Sequence, residues 1–275
     1  MKKNWQFLLL TAMVFISVSA TSYKPLDPKP VYVEITTRFG VMKVLLYDDT
    51  PLHRDNFLKW VRLGFYDSLT FHQVIPEGTA QGGDLKSKYA TEDSVIGDSD
   101  FGYRVPSEIK PEHYHKYGSI AAARDLNPDY ASHPTQFYLV MGRRYTLEDI
   151  QKIEGYHNQM MRSNIFYTVV NADSTKARLN DFGLRGDKEG LSAYTKTFQA
   201  VTDSIFAKRE PFEFTAEQIM TYNKIGGVPQ LDKGYTVFGE VVSGLNIIDS
   251  ICSQATGKNK RPLKDIRMKI REVKK

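Results

Sequence analysis

The chain has 275 residues, 41% of them hydrophobic and 25% charged, so it can bury one sizeable core or two small ones and is not a disordered polymer. Lysine and arginine outnumber aspartate and glutamate by 37 to 32, a mild excess, and the basic stretches Lys258–Arg261 and Lys274–Lys275 read as solvated ends rather than a nucleic-acid surface. The single cysteine, Cys252, excludes a disulfide framework and a cysteine-based zinc site.

At the N-terminus, Lys2 and Lys3 precede an apolar run from Phe7 to Val18 that ends in Val18-Ser19-Ala20. A basic start, a hydrophobic middle and small residues at a cleavage point predict a secretory signal peptide over 1–20. The run is shorter than the roughly 20 residues a membrane-spanning helix needs, so no stable membrane insertion is expected after cleavage. Export points to a periplasmic location. Residues 21–30 form a proline-bearing leader.

Alternation then begins, with Val31, Val33 and Ile35 on one face. Gly40 separates this strand from a second, Val41–Tyr47, which predicts a hairpin. Thr50-Pro51 starts a helix carrying Phe57, Trp60, Val61 and Leu63 that stops at Gly64. Short strands follow at Thr70–Ile75, Ser119–Ala123, Gln136–Met141, Thr236–Val242 and Ile266–Val273, with a second helix over Leu245–Cys252. Many short strands with two helices among them predict a mainly β architecture, an antiparallel barrel or sandwich. The interval 144–229 breaks this rhythm. Thr146 with Asp149 and Thr215 with Gln218 stand at capping-box spacing, and Ile150, Ile153 and Met160 follow at helical spacing, which predicts a helical insertion. His113 and His115 sit two apart without further ligands in pattern, so no metal site is expected.

The stretch "FHQVIPEGTAQGGD" (71–84) runs from strand-like residues into Gln81, Gly82, Gly83 and Asp84. Paired glycines by themselves predict only a turn. The stretch also resembles the cyclophilin pattern Phe-His-Arg-hydrophobic-Ile-Pro followed by Gln-Gly-Gly-Asp. Two further segments are similar to cyclophilin strands in the same order: "GSIAAARD" (118–125) with "TQFYLV" (135–140), and "LDKGYTVFGEVVSGLNIIDSI" (231–251). The resemblance implies a cyclophilin-like eight-stranded closed antiparallel barrel capped by two helices, here as a domain over 31–275 interrupted by the insertion. It also implies peptidyl-prolyl cis-trans isomerisation, which needs no metal, nucleotide or other cofactor.

Carried over residue by residue, the resemblance implies catalytic roles for His72, Gln73, Gln81 and Tyr235, and substrate-binding roles for Gly78, Thr79, Ala123, Arg124, Gln136, Tyr138, Gln230 and Leu231. Several positions depart from the pattern. Gln73 stands where the family has its catalytic arginine, Gly78-Thr79 replace a bulky pocket pair, Tyr138 replaces a phenylalanine, Tyr235 a histidine, and Gln230 a tryptophan or histidine. Arg124 either supplies a compensating charge or only lines the groove. The resemblance thus implies an isomerase of reduced activity that assists the folding of exported proteins. The alternative is a non-catalytic, chaperone-like module holding proline-containing or unfolded polypeptides. The insertion leaves after the Gln136–Tyr138 strand and returns before Leu231, so it forms either a lid beside the groove or a decoration packed on the barrel.

Overall fold

Alternation sets the first hairpin. Val33 and Ile35 of β1 (Val31–Thr37) and Met42, Val44 and Leu46 of β2 (Gly40–Leu46) are all buried, and the strands pair from Val31↔Leu46 to Thr37↔Gly40. The computed structural model describes residues 30–91 and 93–273, so the expected signal peptide and all of the leader but Pro30 lie outside the described residues. Helix α1 (Pro51–Arg62) buries His53, Phe57, Leu58 and Val61, while Leu63, expected on its apolar face, falls after the last turn and is exposed. Thr50 makes no side-chain cap. The first free amides of α1 are met instead by Glu108, which accepts from Leu52 N at 3.0 Å and His53 N at 2.9 Å.

The remaining strands are β3 (Phe71–Val74), β4 (Thr79–Gly82), β5 (Ser119–Ala122), β6 (Phe137–Val140), β7 (Val237–Ser243) and β8 (Lys269–Glu272). They form one sheet in the order β3-β4-β6-β5-β7-β2-β1-β8, with every neighbouring pair antiparallel. The sheet curls around a core that includes Ile35, Met42, Phe71, Ile120, Phe137, Leu139 and Ile270, with Phe57 of α1 and Ile248 and Ile251 of α6 (Asn246–Cys252) packed into it.

The expected closed barrel is corrected to an open, curled sheet. Its edges, β3 and β8, share no ladder. They meet only at a short seam, where Ser68 N donates to Met268 O (3.0 Å), Met268 N to Leu69 O (2.8 Å) and Phe71 N to Ile266 O (2.9 Å), beside an isolated bridge between Thr70 and Arg267. The chain meets the β3 side over 266–268, before β8 begins at Lys269, and β8 itself pairs with β1.

Between β6 and β7 lie α2 (Leu147–Asn171), α3 (Asp173–Arg185), α4 (Lys188–Phe206) and α5 (Ala216–Lys224). Both capping boxes form, Thr146 with Asp149 and Thr215 with Gln218. A second core of Tyr145, Ile150, Ile153, Phe212, Phe214 and Tyr222 joins the start of α2 to α5. Asn158 brackets Phe212 from both sides, its Nδ2 donating to the carbonyl (3.0 Å) and its Oδ1 accepting from the amide (2.7 Å). Met160, on the predicted apolar face, is 43% exposed because that core ends before it. Beyond it α4 packs along α2, with an ion pair between Arg162 and Asp203. Among the described residues no helix is long and apolar enough to cross a membrane.

Candidate active site

Cross-strand register assembles the site. Gln73 pairs with Gln81, Gln81 with Tyr138, Tyr138 with Ala121, and Ala121 with Val237, so these five residues share one face across β3, β4, β6, β5 and β7. The flanking row, Phe71, Gly82, Phe137 and Ala122, turns the other way, and its side chains belong to the main core. On the outer face Ala121, Ala123, Tyr138, Val140 and Val237 form an apolar patch, with Tyr47, Val228, Leu231 and Tyr235 packed against it. The result is an apolar floor with two glutamines at one end.

The glutamines are oriented by a buried carboxylate. Asp84 accepts from Lys86 N (2.7 Å), Gly97 N (3.0 Å), Ser99 N (3.1 Å), Ser99 Oγ (2.6 Å) and Gln136 Nε2 (3.2 Å). Burial by itself would raise the Asp84 carboxyl, but the hydrogen bonds from Ser99 and Lys86 hold it below its ordinary value. Gln136 Nε2 also donates to Gly97 O at 3.1 Å, so both of its amide hydrogens are engaged. Its Oε1 must therefore face Gln81, whose Nε2 donates to it at 3.0 Å. That fixes the Gln81 amide, leaving its carbonyl oxygen and second N–H for a ligand. Gly83 makes this crossing possible. With φ +92° it passes so near β6 that a Cβ there would lie 2.2 Å from Thr135 O.

The other predicted residues fall on several sides of this groove. Gln73 is half-buried beside Gln81 and makes no side-chain hydrogen bond among the described residues. At Gly78 only backbone stands on the β3–β4 turn, where its carbonyl accepts from Met141 N and Gly142 N, both at 2.9 Å, and Thr79 pairs with Val140. Ala123 N donates to Gln136 O at 3.0 Å, which ties the end of β5 to the glutamine strand. Leu231 packs on the patch from a short 3-10 turn, Pro229–Leu231, whose Gln230 is exposed and accepts from Tyr145 Oη at 3.2 Å. Tyr235 stands edge-on to Tyr138, with ring centroids 5.8 Å apart.

Two of the predicted residues, His72 and Arg124, stand off the row of Gln73 and Gln81. A register shift between Phe71 and Gln73 makes His72 the bulged residue of β3, out of the cross-strand row of Gln73, Gln81 and Tyr138. It is buried near Asp84 and Gly97, and desolvation pushes its imidazole down from 6.5 to about 4. Arg124 does not stand in for a charge at Gln73. It follows β5, three strands from β3, or about 14 Å at the usual strand spacing of about 4.8 Å. Its Nε donates to Gly234 O at 2.6 Å, and its guanidinium lies between the rings of Tyr130 (4.5 Å) and Tyr235 (5.0 Å). Arg124 therefore lines the Tyr235 end.

Sequence reasoning missed the partners of Tyr138. Its hydroxyl lies 2.9 Å from His115 Nε2, His115 Nδ1 lies 2.7 Å from Asp232 Oδ1, and Tyr222 Oη donates to Asp232 Oδ2 at 2.5 Å. A tyrosine in place of an apolar aromatic was the available signal, because a buried hydroxyl requires a partner. His113 diverges from His115, binding Asp49 at 2.8 Å and stacking on Tyr47. Among the described residues no group of three or more histidine, cysteine or acidic side chains is placed to hold a metal ion.

The family described as cyclophilin type peptidyl-prolyl cis-trans isomerase/CLD matches residues 32–174 and 207–274, leaving out nearly all of α3 and the whole of α4. The chain belongs to that family. An inferred peptidyl-prolyl cis-trans isomerase of Staphylococcus saprophyticus is 22% identical over 229 residues, covering 83% of this chain and 84% of the relative. Among solved structures, a Cryptosporidium parvum cyclophilin type peptidyl-prolyl cis-trans isomerase aligns with a TM-score of 0.52 at 17% identity, covering 90% of this chain and 99% of that one. A crystal structure of the same parasite protein in the presence of the dipeptide Ala-Pro aligns with a TM-score of 0.51 at 18% identity, covering 89% and 99%. At that identity the likeness speaks to fold alone.

Proposed function

We propose that this protein is a peptidyl-prolyl cis-trans isomerase for exported polypeptides, with a chemical step slowed by the neutral side chain at Gln73. The observation that carries the reading is the oriented Gln81 amide at the end of an apolar floor made by Ala123, Tyr138 and Leu231. The prolyl amide must lose resonance worth a barrier of about 18–20 kcal/mol to rotate. A surface that holds the twisted amide better than either planar form lowers that barrier. In this reading the floor seats the pyrrolidine ring. Gln81 grips the backbone flanking the bond by accepting and donating at once, and Gln73 offers its amide N–H toward the prolyl nitrogen. The step needs no bond made to the protein and no cofactor. Export rests on the basic-apolar-small pattern of residues 1–20.

A second reading, a chaperone-like binding module, has its own support. Gly78 supplies no side chain to the rim, and the distal part of the insertion exposes Tyr167, Leu184 and Val201. Near the barrel the insertion is anchored to the groove, since His157 Nε2 lies 3.0 Å from Pro229 O and Lys233 lies over the Phe212 ring.

The test is cis/trans exchange of a short Ala-Pro peptide by NMR exchange spectroscopy. Measurable exchange in the mature protein that falls about tenfold or more in Gln81→Ala is expected. Saturable peptide binding with no exchange in the wild type supports the binding module and sinks the isomerase.

A further inference from the structure

The four side chains Tyr138, His115, Asp232 and Tyr222 form a continuous buried chain from the groove floor into α5. Exposures are 4%, 0%, 5% and 0% in that order, so the chain is buried and Tyr138 shows only a small part of its surface at the groove. Asp232 takes hydrogen bonds from His115 N (2.8 Å) and His115 Nδ1 (2.7 Å) on one oxygen and from Tyr222 Oη (2.5 Å) on the other. A carboxylate only accepts, so Nδ1 carries the imidazole proton, and in the neutral ring Nε2 is left as an acceptor. The hydroxyl of Tyr138, 2.9 Å away, is then the donor to it. Burial pushes both the Tyr138 and Tyr222 phenols well above their usual range, so each keeps its proton to give. The rings are set as firmly as the protons. His115 lies nearly parallel to Tyr138 at an interplanar angle of 13°, and Tyr235 stands edge-on to both.

We propose that His115, Asp232 and Tyr222 are positioning residues for Tyr138, turning its hydroxyl inward so that a bound proline meets only the apolar ring, and making that setting depend on α5. The proposal rests on the proline-groove reading above. It explains how the groove can carry a tyrosine without becoming polar, because the hydroxyl is consumed by Nε2. It also gives α5 a part in the site without contact to substrate. Tyr222 sits in the insertion's own core with Tyr145 and Phe214, so the seat of α5 decides where the Asp232 carboxylate stands.

Two measurements on the full mature chain test this. In imidazole 15N spectra, His115 is expected to show a protonated Nδ1 and an unprotonated, hydrogen-bonded Nε2, with the Nε2 signal moving toward its free value in Tyr138→Phe. A doubly protonated His115 overturns the proposal, since Tyr138 would then accept and its own proton would be free to face the groove. The second measurement is a double-mutant cycle read as Kd for an Ala-Pro peptide and as the exchange rate at saturation. Tyr222→Phe is expected to weaken binding about two- to tenfold, the scale of one hydrogen bond, with the saturated rate within about twofold. In a Tyr138→Phe background the same change is expected to have no further effect, because the hydroxyl it positions is gone. Equal losses in both backgrounds, or no loss in either, overturn the proposal and leave Tyr222 as packing alone. Should Tyr222→Phe fail to fold, His115→Gln against Tyr138→Phe serves as the same cycle. A wild-type protein that neither binds nor exchanges the peptide refutes the proline-groove reading, and this proposal with it. A wild type that does both, with an additive cycle, refutes the proposal only.

Discussion

Replacing Gln73 by arginine puts a fixed positive donor where β3 now offers a neutral amide. The site offers it an acceptor. Gln73 is half-buried, faces Gln81 in direct register, and the Gln136 bond leaves the Gln81 carbonyl oxygen unengaged. An arginine fork can therefore bind Gln81 Oε1 and still direct an N–H toward the prolyl nitrogen. The partners in its row are Gln81, Tyr138 and Ala121, none of them cationic, so the new charge meets no repulsion there. Charged hydrogen bonds contribute about 1.5–3 kcal/mol net against about 0.5–1.5 for neutral ones, a difference of about 1–2 kcal/mol. Because the prolyl lone pair localises only as the amide twists, that difference acts on the transition state and predicts a rise in kcat/KM of about five- to thirtyfold. KM should move little, since the floor that seats the ring is untouched. Exchange spectroscopy with an Ala-Pro peptide gives the rate, and peptide titration of the same sample gives the affinity. Gln73→Lys should recover less, lacking the fork. A folded Gln73→Arg protein with unchanged kcat/KM would refute the argument that missing charge limits this site.

Asp84→Ala should destabilise the protein by about 3–5 kcal/mol, because it strands the buried donors of Ser99 and Gln136 and releases the amides of Lys86 and Gly97, and chemical denaturation would read this as a lowered midpoint. Stability should fall as pH drops from 6.5 toward 4, since the unfolded chain then binds a proton at His72 that the native state refuses; the full contribution is about 3 kcal/mol. Burial lowers His53 and His133 as well, so they add in the same sense, and His72→Gln should flatten the curve measured by urea unfolding at stepped pH. Replacing residues 160–210 by a short flexible linker should keep Ala-Pro exchange within about twofold, because Asn158 and Phe212 already hold the two cut ends together. The same variant should lose capture of an unfolded protein if the exposed distal helices serve clients, and undiminished capture would assign it elsewhere. Extending the deletion to 144–229 removes Tyr222 and should impair the groove itself.

Much of this protein is legible without coordinates. The period-two pattern of Val33, Ile35, Met42 and Val44, the Thr50-Pro51 helix start and both capping boxes are local signals, and the structure places elements at each. The stretch 71–84 and the segment 135–140 also pointed to Gln81 and Gln136, which the structure brings into direct hydrogen bonding. The turn suggested by the paired glycines Gly82-Gly83 comes one residue late: Gly82 ends β4, in register with Phe137, and Gly83 takes the positive φ.

The tertiary structure alone decided three things. It left the sheet open, since the chain meets the β3 side over 266–268, before β8 begins. It set His72 outside the cross-strand row of Gln73 and Gln81, since the bulge leaves it without a partner in β4. It also gave Tyr138 its partners. His115 and Asp232 are 117 residues apart, and no period or spacing relates them; only the folded sheet and the returning insertion bring a carboxylate, an imidazole and two phenols within hydrogen-bonding distance. Local sequence fixes which elements form because backbone preference acts over a few residues. Which polar groups meet in the interior is settled by the contacts that close between distant parts of the chain.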